Sequence, residues 1–487
     1  MDTPPLTIRN VTSTPIELKL VERYGLPARS ASGGKLSHFT RNITTFTSNA
    51  PSSTLLTENS QSFSQEAVSL KIDAFETLPT TIKPTIKSPT DTIRLTFENA
   101  GEQYRLDVPS RTNESTTLTP LTSNPHFKYT AIYLPQQSHL TLFSSANLAS
   151  WMLELKDSTP LSALSIPGTH NSPTCHRALP SVRCQAVPPR EQLENGIRFF
   201  DIRVQPEKPE DPSKDGLALV HSVFPISLTG TKYFRDLVNE VFAFLDRNPS
   251  ETVIMSVKRE GTGNATDAQL SRILRDHYAG DVNRWFTAPR IPTLGEARHK
   301  IVLMRRFALE DGLKNEWDGA GWCINAETWP DNTPDGTCPS GDVCVQDFYE
   351  VLETENIDKK LKYSEDQLER AAQCVCVLPG MGIQSTEPPP KQPFYLNFLS
   401  ASNFWKVGCW PEKIAAKLNP AIVEFLCTKH NINRGIPGLD GPVDGKDMGD
   451  GSTGIVVCDW VGNNGNWDLV RCIVGMNAKL ELREKVM

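Results

Sequence analysis

Apolar positions along this chain follow two rhythms, and the change falls near residue 148. Before it, short runs alternate apolar and polar residues: Thr7-Ile-Arg-Asn-Val, Ile16-Glu-Leu-Lys-Leu-Val, Ile93-Arg-Leu-Thr-Phe, Tyr104-Arg-Leu-Asp-Val, Tyr129-Thr-Ala-Ile-Tyr-Leu and Leu140-Thr-Leu-Phe. A period of two marks strands with one face in a core. The first two runs flank Ser-Thr-Pro and predict a hairpin. The next two flank Glu-Asn-Ala-Gly-Glu and predict another. Strands at this spacing suggest an antiparallel sandwich. Residues 26–65, heavy in Ser, Thr, Gly and Asn, read as a long loop or weakly formed strands.

From about residue 149 the runs become almost continuously apolar, at 161–167, 196–203, 217–222, 252–258, 300–306, 395–401 and 454–460, with a weaker one at 322–327. Such runs fit parallel strands buried on both faces. Helical stretches lie between them, at 232–245, 266–277 and 411–428. The alternation predicts an α/β fold, a distorted (β/α)8 TIM-type barrel over 149–487, preceded by a β-rich, sandwich-like domain over 1–148. No clear helix separates 196–203 from 217–222, so the barrel is expected to be irregular there.

Three of these runs stop at chemically competent residues. His170 follows Leu-Ser-Ile-Pro-Gly-Thr, Arg203 ends Gly-Ile-Arg-Phe-Phe-Asp-Ile-Arg, and His221 follows Leu-Ala-Leu-Val. A barrel strand delivers such residues to its C-terminal face, where active sites sit. Imidazole serves as base or acid near neutral pH. Arginine clamps phosphate oxygens bidentately and stays protonated. Together they suggest phosphate-ester cleavage without a metal. Asp459, ending the last strand, is placed to fix the tautomer of a basic histidine. Asp201 alternates with Arg203 and reads either as a site residue or as that arginine's ion-pair partner. Lys258 and Glu260 end a third strand and fit a solvated rim equally well.

Composition narrows the partners. The 487 residues carry a formal net charge of −7, which argues against a nucleic-acid binder. No apolar run reaches the roughly 18–20 residues that span a bilayer. The N-terminal residues show no signal-peptide pattern, so a cytoplasmic or membrane-peripheral location is expected. The 11 cysteines have no zinc spacing and read as reduced thiols, although Cys338 and Cys344 could bridge in an oxidising setting. A glycine-rich acidic stretch with Asp440, Asp444, Asp447 and Asp450 lacks the alternation of an EF-hand loop and reads as solvated. A monomer with no metal and no cofactor is expected.

The run Ser-Ile-Pro-Gly-Thr-His-Asn-Ser resembles the opening motif of phosphatidylinositol-specific phospholipase C X domains, especially the bacterial, metal-independent type. The likeness continues in order through Gly-Ile-Arg-Phe-Phe-Asp-Ile-Arg, the His221 run, Asn248 to Lys258, Pro292 to Phe307, Trp329-Pro-Asp-Asn, Val345-Gln-Asp-Phe-Tyr and Val457-Cys-Asp. It covers about two thirds of the chain and says nothing of residues 1–148. The resemblance implies a phospholipid substrate at a membrane surface and a two-step reaction. His170, backed by Asp459, is then the base that takes the inositol 2-hydroxyl proton. His221 is the acid for the diacylglycerol oxygen, and Arg203 holds the phosphate. The products are diacylglycerol and inositol 1,2-cyclic phosphate, the latter hydrolysed slowly. Lys258, Glu260, Arg306, Asp347 and Tyr349 match positions that contact inositol hydroxyls.

Asn171 departs from the pattern. Bacterial members usually carry Asp there, where it supports the acid, and an amide does not stabilise an imidazolium as a carboxylate does. Asp201 is a possible substitute. Calcium-dependent eukaryotic members use Asn at this position as a metal ligand, with carboxylates where this chain has Arg203 and Lys258. Two cations in that pocket repel Ca²⁺. Two rival readings stand beside this one: a lipid- or inositol-binding module without turnover, with Asn171 as the lesion, and a metal-dependent phosphodiesterase on the same barrel.

Overall fold

The computed structural model describes residues 4–25, 56, 60–84, 92–109, 115–378, 392–432 and 449–486. The chain divides into two units, Met1–Ser145 and Ala146–Met487.

Two five-stranded sheets make the first unit. Ile8, Leu140 and Leu142 from one sheet and Leu18, Val21, Leu95 and Phe97 from the other are buried in a single apolar cluster, as in a sandwich. Thr92–Asn99 and Glu102–Pro109 form the expected hairpin. Thr7–Val11 and Ile16–Tyr24 do not form theirs. The first pairs parallel with His139–Ser144, the second antiparallel with Ser64–Ile72 and Thr92–Asn99. The chain between them crosses from sheet to sheet, organised by Asn10. Its Nδ2 donates to the carbonyls of Thr14, Ile72 and Asp73, and its Oδ1 accepts from the Thr12 amide and hydroxyl. Crossing lets both strands bury their apolar faces in the shared core.

The second unit is built on a twelve-stranded, mainly parallel sheet that curls around an apolar interior. Its central order is Ile301–Arg306, Val253–Arg259, Phe199–Pro206, Ile166–Thr169, Ile455–Cys458, Phe394–Phe398 and Val343–Gln346. Phe199, Ile202, Val253, Val257, Leu303 and Val457 are fully buried along it, which explains the unbroken apolar runs. Gly168 allows a close approach within the sheet, since a Cβ there would lie 2.9 Å from the Phe199 side chain. Among the described residues no ladder joins Ile324–Asn325 to Val343–Gln346, so the curled sheet is not a closed ring.

Leu217–His221 is not a parallel barrel strand. It runs antiparallel to Phe199–Pro206 and to Phe224–Pro225, so His221 arrives on a ribbon folded back from the strand of Arg203. An antiparallel return needs no crossover helix. The first expected strand begins late, after a 3₁₀ turn at Leu161–Ala163. Val343–Gln346 and the helix Asn356–Gln373 were not anticipated.

At the N-terminal ends of two central strands, Arg198 and Glu251 form a fully buried ion pair. Arg198 Nε lies 2.9 Å from Glu251 Oε2, and its other nitrogens donate to the carbonyls of Leu148, Ala149, Leu193 and Ile197. Asp450 is buried and paired with Arg483 rather than solvated. Asp440, Asp444 and Asp447 lie outside the described residues. All 11 cysteines are free thiols. Among the described residues no helix is long and apolar enough to cross a membrane.

Candidate active site

His170 directly follows the strand Ile166–Thr169, and its amide donates to the Cys458 carbonyl of the neighbouring strand. The next residue after Cys458 is Asp459, so one rung of the parallel ladder places the carboxylate beside the imidazole. His170 Nδ1 lies 3.0 Å from Asp459 Oδ1. A carboxylate only accepts, so Nδ1 carries the proton and Nε2 is left for chemistry. Burial disfavours a charged ring here, but the Asp459 carboxylate outweighs it and raises the His170 pKa well above the ordinary imidazole value. Gln185 Nε2 donates to the carbonyls of His170 and Cys458 at 2.7 and 3.0 Å and locks the two strand ends together.

The His221 ring stands 5.8 Å from the His170 ring, nearly perpendicular to it. Its Nδ1 donates to the Val182 carbonyl at 3.0 Å, with Cys184 Sγ 3.8 Å from the same nitrogen. Burial first, then the positive charges of His170 and Arg203, push its pKa down. The two imidazoles therefore share charge unequally, and His221 is the one left neutral.

Arg203 donates to Glu260 Oε1 at 2.7 Å and to Asp201 Oδ2 at 3.1 Å. Burial disfavours its charge, but the two carboxylates more than restore it, so the guanidinium stays protonated. Glu260 also takes Lys258 at 3.2 Å and the Ser222 amide at 2.8 Å. Arg306 reaches Asp201 Oδ1 at 3.3 Å and stacks over Trp329, 3.4 Å from the ring centre. Burial lowers its pKa to about 10, which leaves it charged at neutral pH. The Tyr349 hydroxyl donates to Asp331 at 3.0 Å.

His170, Arg203, His221, Lys258, Glu260, Arg306, Asp347 and Tyr349 line one cavity of about 270 Å³, with Ser222, Asp331, Ser400, Ala401 and Ser402 completing its wall. Asp459 stands behind His170. Asp201 is fully buried between Arg203 and Arg306 and accepts the Asn171 amide. It acts as the arginines' counter-ion and makes no contact with His221; the nearer imidazole nitrogen is His170 Nε2, at 4.0 Å. Asn171 is buried with positive φ, and neither atom of its side-chain amide finds a partner among the described residues. His221 Nδ1 donates instead to the Val182 carbonyl.

Sequence reasoning missed Val182, Cys184, Gln185 and Asp331, which sit on loops whose positions depend on tertiary contacts. It also missed the rim. Val223, Leu352, Phe404, Trp405 and Val407 are exposed, Trp405 at 89%. Phe404 stacks on Phe224 at 5.8 Å and meets Trp405 at 5.0 Å, and Asn403 ties this loop to the Leu352 carbonyl. The patch adjoins the wall residues His221, Ser222, Tyr349 and Ser402.

Residues 157–307 match the family model described as Phosphatidylinositol-specific phospholipase C, X domain. The chain is 31% identical over 195 residues to a 1-phosphatidylinositol phosphodiesterase of Listeria monocytogenes, across 36% of this chain and 57% of that protein, little more than half its length. It is 26% identical over 302 residues to a 1-phosphatidylinositol phosphodiesterase of Staphylococcus aureus, across 59% of this chain and 86% of that protein. A solved structure of the phosphatidylinositol-specific phospholipase C from Staphylococcus aureus shares the fold at a TM-score of 0.50 and 22% identity, covering 68% of this chain and 98% of that one. Residues 157–307 thus form a phosphatidylinositol-specific phospholipase C X domain.

Proposed function

We propose that the chain cleaves phosphatidylinositol-type phosphodiesters to diacylglycerol and inositol 1,2-cyclic phosphate by general acid–base catalysis with two histidines. Residues 149–487 act as the catalytic domain, its curled sheet read as a distorted (β/α)8 barrel. One observation carries the reading: two imidazoles, each with Nδ1 tied down, stand 5.8 Å apart on a cavity that also holds a permanently charged arginine.

In the free site the shared proton resides on His170. A phosphodiester anion beside Arg203 and His221 draws positive charge towards His221 and makes it the acid. His170, now neutral and oriented by Asp459, takes the inositol 2-hydroxyl proton as that oxygen attacks phosphorus. His221 gives its proton to the diacylglycerol oxygen as the P–O bond breaks. The pair ends with its proton on His170, which is the state needed to open the cyclic phosphate with water in the reverse sense. Each role supplies about 10²–10⁴-fold. Lys258, Glu260, Arg306, Asp347 and Tyr349 are assigned to the inositol hydroxyls.

Arg203 bridges Asp201 and Glu260, so these carboxylates already have a cation, and this supports metal-independent turnover. The exposed rim of Phe404, Trp405, Val407 and Leu352 supports a lipid surface as the place of action, because aromatic side chains partition to a membrane interface. The test is diacylglycerol release from phosphatidylinositol vesicles in EDTA, with phosphatidylcholine vesicles beside them. Release from the inositol lipid alone is expected. Equal release from both, or from neither, contradicts the proposal.

A further inference from the structure

The reaction above gives Cys184 no task, yet its thiol is packed against the two histidines. One ligand atom each from His170, Cys184 and His221 lies within 4.8 Å of the other two, and Cys184 Sγ is 3.8 Å from His221 Nδ1. Cys184 is fully buried and both histidines line the cavity. We infer that His170, Cys184 and His221 form a binding site for a soft divalent cation such as Zn²⁺, and that its occupancy switches the enzyme off.

Two imidazoles and a thiolate are a donor set that Zn²⁺ prefers and that Ca²⁺ and Mg²⁺ avoid. Tetrahedral zinc with bonds of about 2.0–2.3 Å sets neighbouring ligand atoms about 3.3–3.6 Å apart. The Cys184–His221 Nδ1 pair, at 3.8 Å, is within a few tenths of an ångström of that once Nδ1 releases the Val182 carbonyl, and the widest separation, up to 4.8 Å, closes by about 1.2–1.5 Å on binding. Asp459 on His170 Nδ1 is the outer carboxylate that orients a zinc-bound histidine. The cavity leaves the fourth position to water or an anion. Binding displaces the Cys184 thiol proton and the proton held by the histidine pair. It takes a nitrogen from each imidazole, so base and acid are lost together. The switching role rests on the two-histidine reaction proposed above; the binding site does not.

Co²⁺ serves as the spectroscopic probe of the full chain, and Zn²⁺ as its competitor. Wild type should show a thiolate-to-Co²⁺ charge-transfer band in the near ultraviolet that Zn²⁺ abolishes. Cys184→Ser and Cys184→Ala, checked by circular dichroism for folding, should lack the band. Zn²⁺ should inhibit phosphatidylinositol cleavage, EDTA should restore it, and Cys184→Ser should keep turnover but need at least about tenfold more Zn²⁺. Absence of the band in wild type, or an undiminished band in both variants, overturns the site. Equal Zn²⁺ sensitivity of wild type and Cys184→Ser overturns the switch. A band without any phosphatidylinositol turnover upholds the site and contradicts the proposed reaction instead.

Discussion

Asp459 Oδ1 lies 3.0 Å from His170 Nδ1, while its second carboxylate oxygen is buried without a hydrogen-bond partner among the described residues. The carboxylate's charge is thus spent on one imidazole, in a setting where burial excludes water from competing. This contact orients the ring and sets the proton affinity of the pair.

The pH profile follows from that contact. The productive form carries one proton on the histidine pair, so the rate is bell-shaped and its limbs belong to the pair. His221 is pushed below 6.5 and His170 above it. The acid limb should therefore fall below the ordinary imidazole range and the alkaline limb above it. Asp459→Asn removes the charge that raises His170. The alkaline limb should move to lower pH, the acid limb should stay, and the maximal rate should drop about 10²–10⁴-fold. An unmoved alkaline limb in a pH–rate series refutes the assignment.

The two histidines are separable by leaving group. An acid matters only when the departing oxygen is a poor leaving group. His221→Ala should lose about 10²–10⁴-fold on phosphatidylinositol but less than about tenfold on an inositol nitrophenyl phosphodiester. His170→Ala should be impaired on both. The ratio of initial rates on the two substrates decides it, and equal losses for both variants contradict the roles.

On the proposed reading the rim acts in binding and not in chemistry. Trp405 is exposed beyond the cavity wall, and burying such a side chain in lipid is worth about 1.5–3 kcal/mol. Trp405→Ala should weaken partitioning to phosphatidylinositol vesicles about 10- to 100-fold in a sedimentation assay. Turnover of a short-chain, monomeric substrate should be unchanged. A matching loss on the monomeric substrate would place Trp405 in the site itself.

Glu251 supports the curled sheet from the other end of its strands. Removing one partner of a buried pair leaves an uncompensated charge and costs about 3–5 kcal/mol. Glu251→Gln should lower the thermal transition of the second unit sharply. Replacing Arg198 and Glu251 together by Met should recover much of the loss, because no charge is then stranded. A double variant no more stable than the single one would show that the pair's hydrogen bonds, and not the stranded charge, dominate.

How much was legible depended on how local the signal was. His170, Arg203 and Asp459 sit at the ends of apolar runs that could only be buried strands, so their gathering at one end of a sheet could be read from the chain. His221 could be placed, but its antiparallel strand could not, since an apolar pentapeptide carries no mark of direction. The hairpin expected at Ser13-Thr-Pro failed because Asn10 bonds to Ile72 and Asp73, far away in sequence. The helix Asn356–Gln373 hid behind its lysines and glutamates, although one of them, Lys360, is fully buried on Gln346 Oε1 at 3.0 Å. Cys184 and Gln185 belong to a loop, where position is set by contacts and periodicity is silent.

The most direct measurement follows phosphatidylinositol vesicles in EDTA by phosphorus NMR, with wild type, His170→Ala and His221→Ala in parallel. The account predicts an inositol 1,2-cyclic phosphate signal that grows in wild type, converts slowly to inositol phosphate and is absent in both variants. Formation of the acyclic phosphate without a cyclic intermediate, or activity restored only by added Ca²⁺, would contradict it.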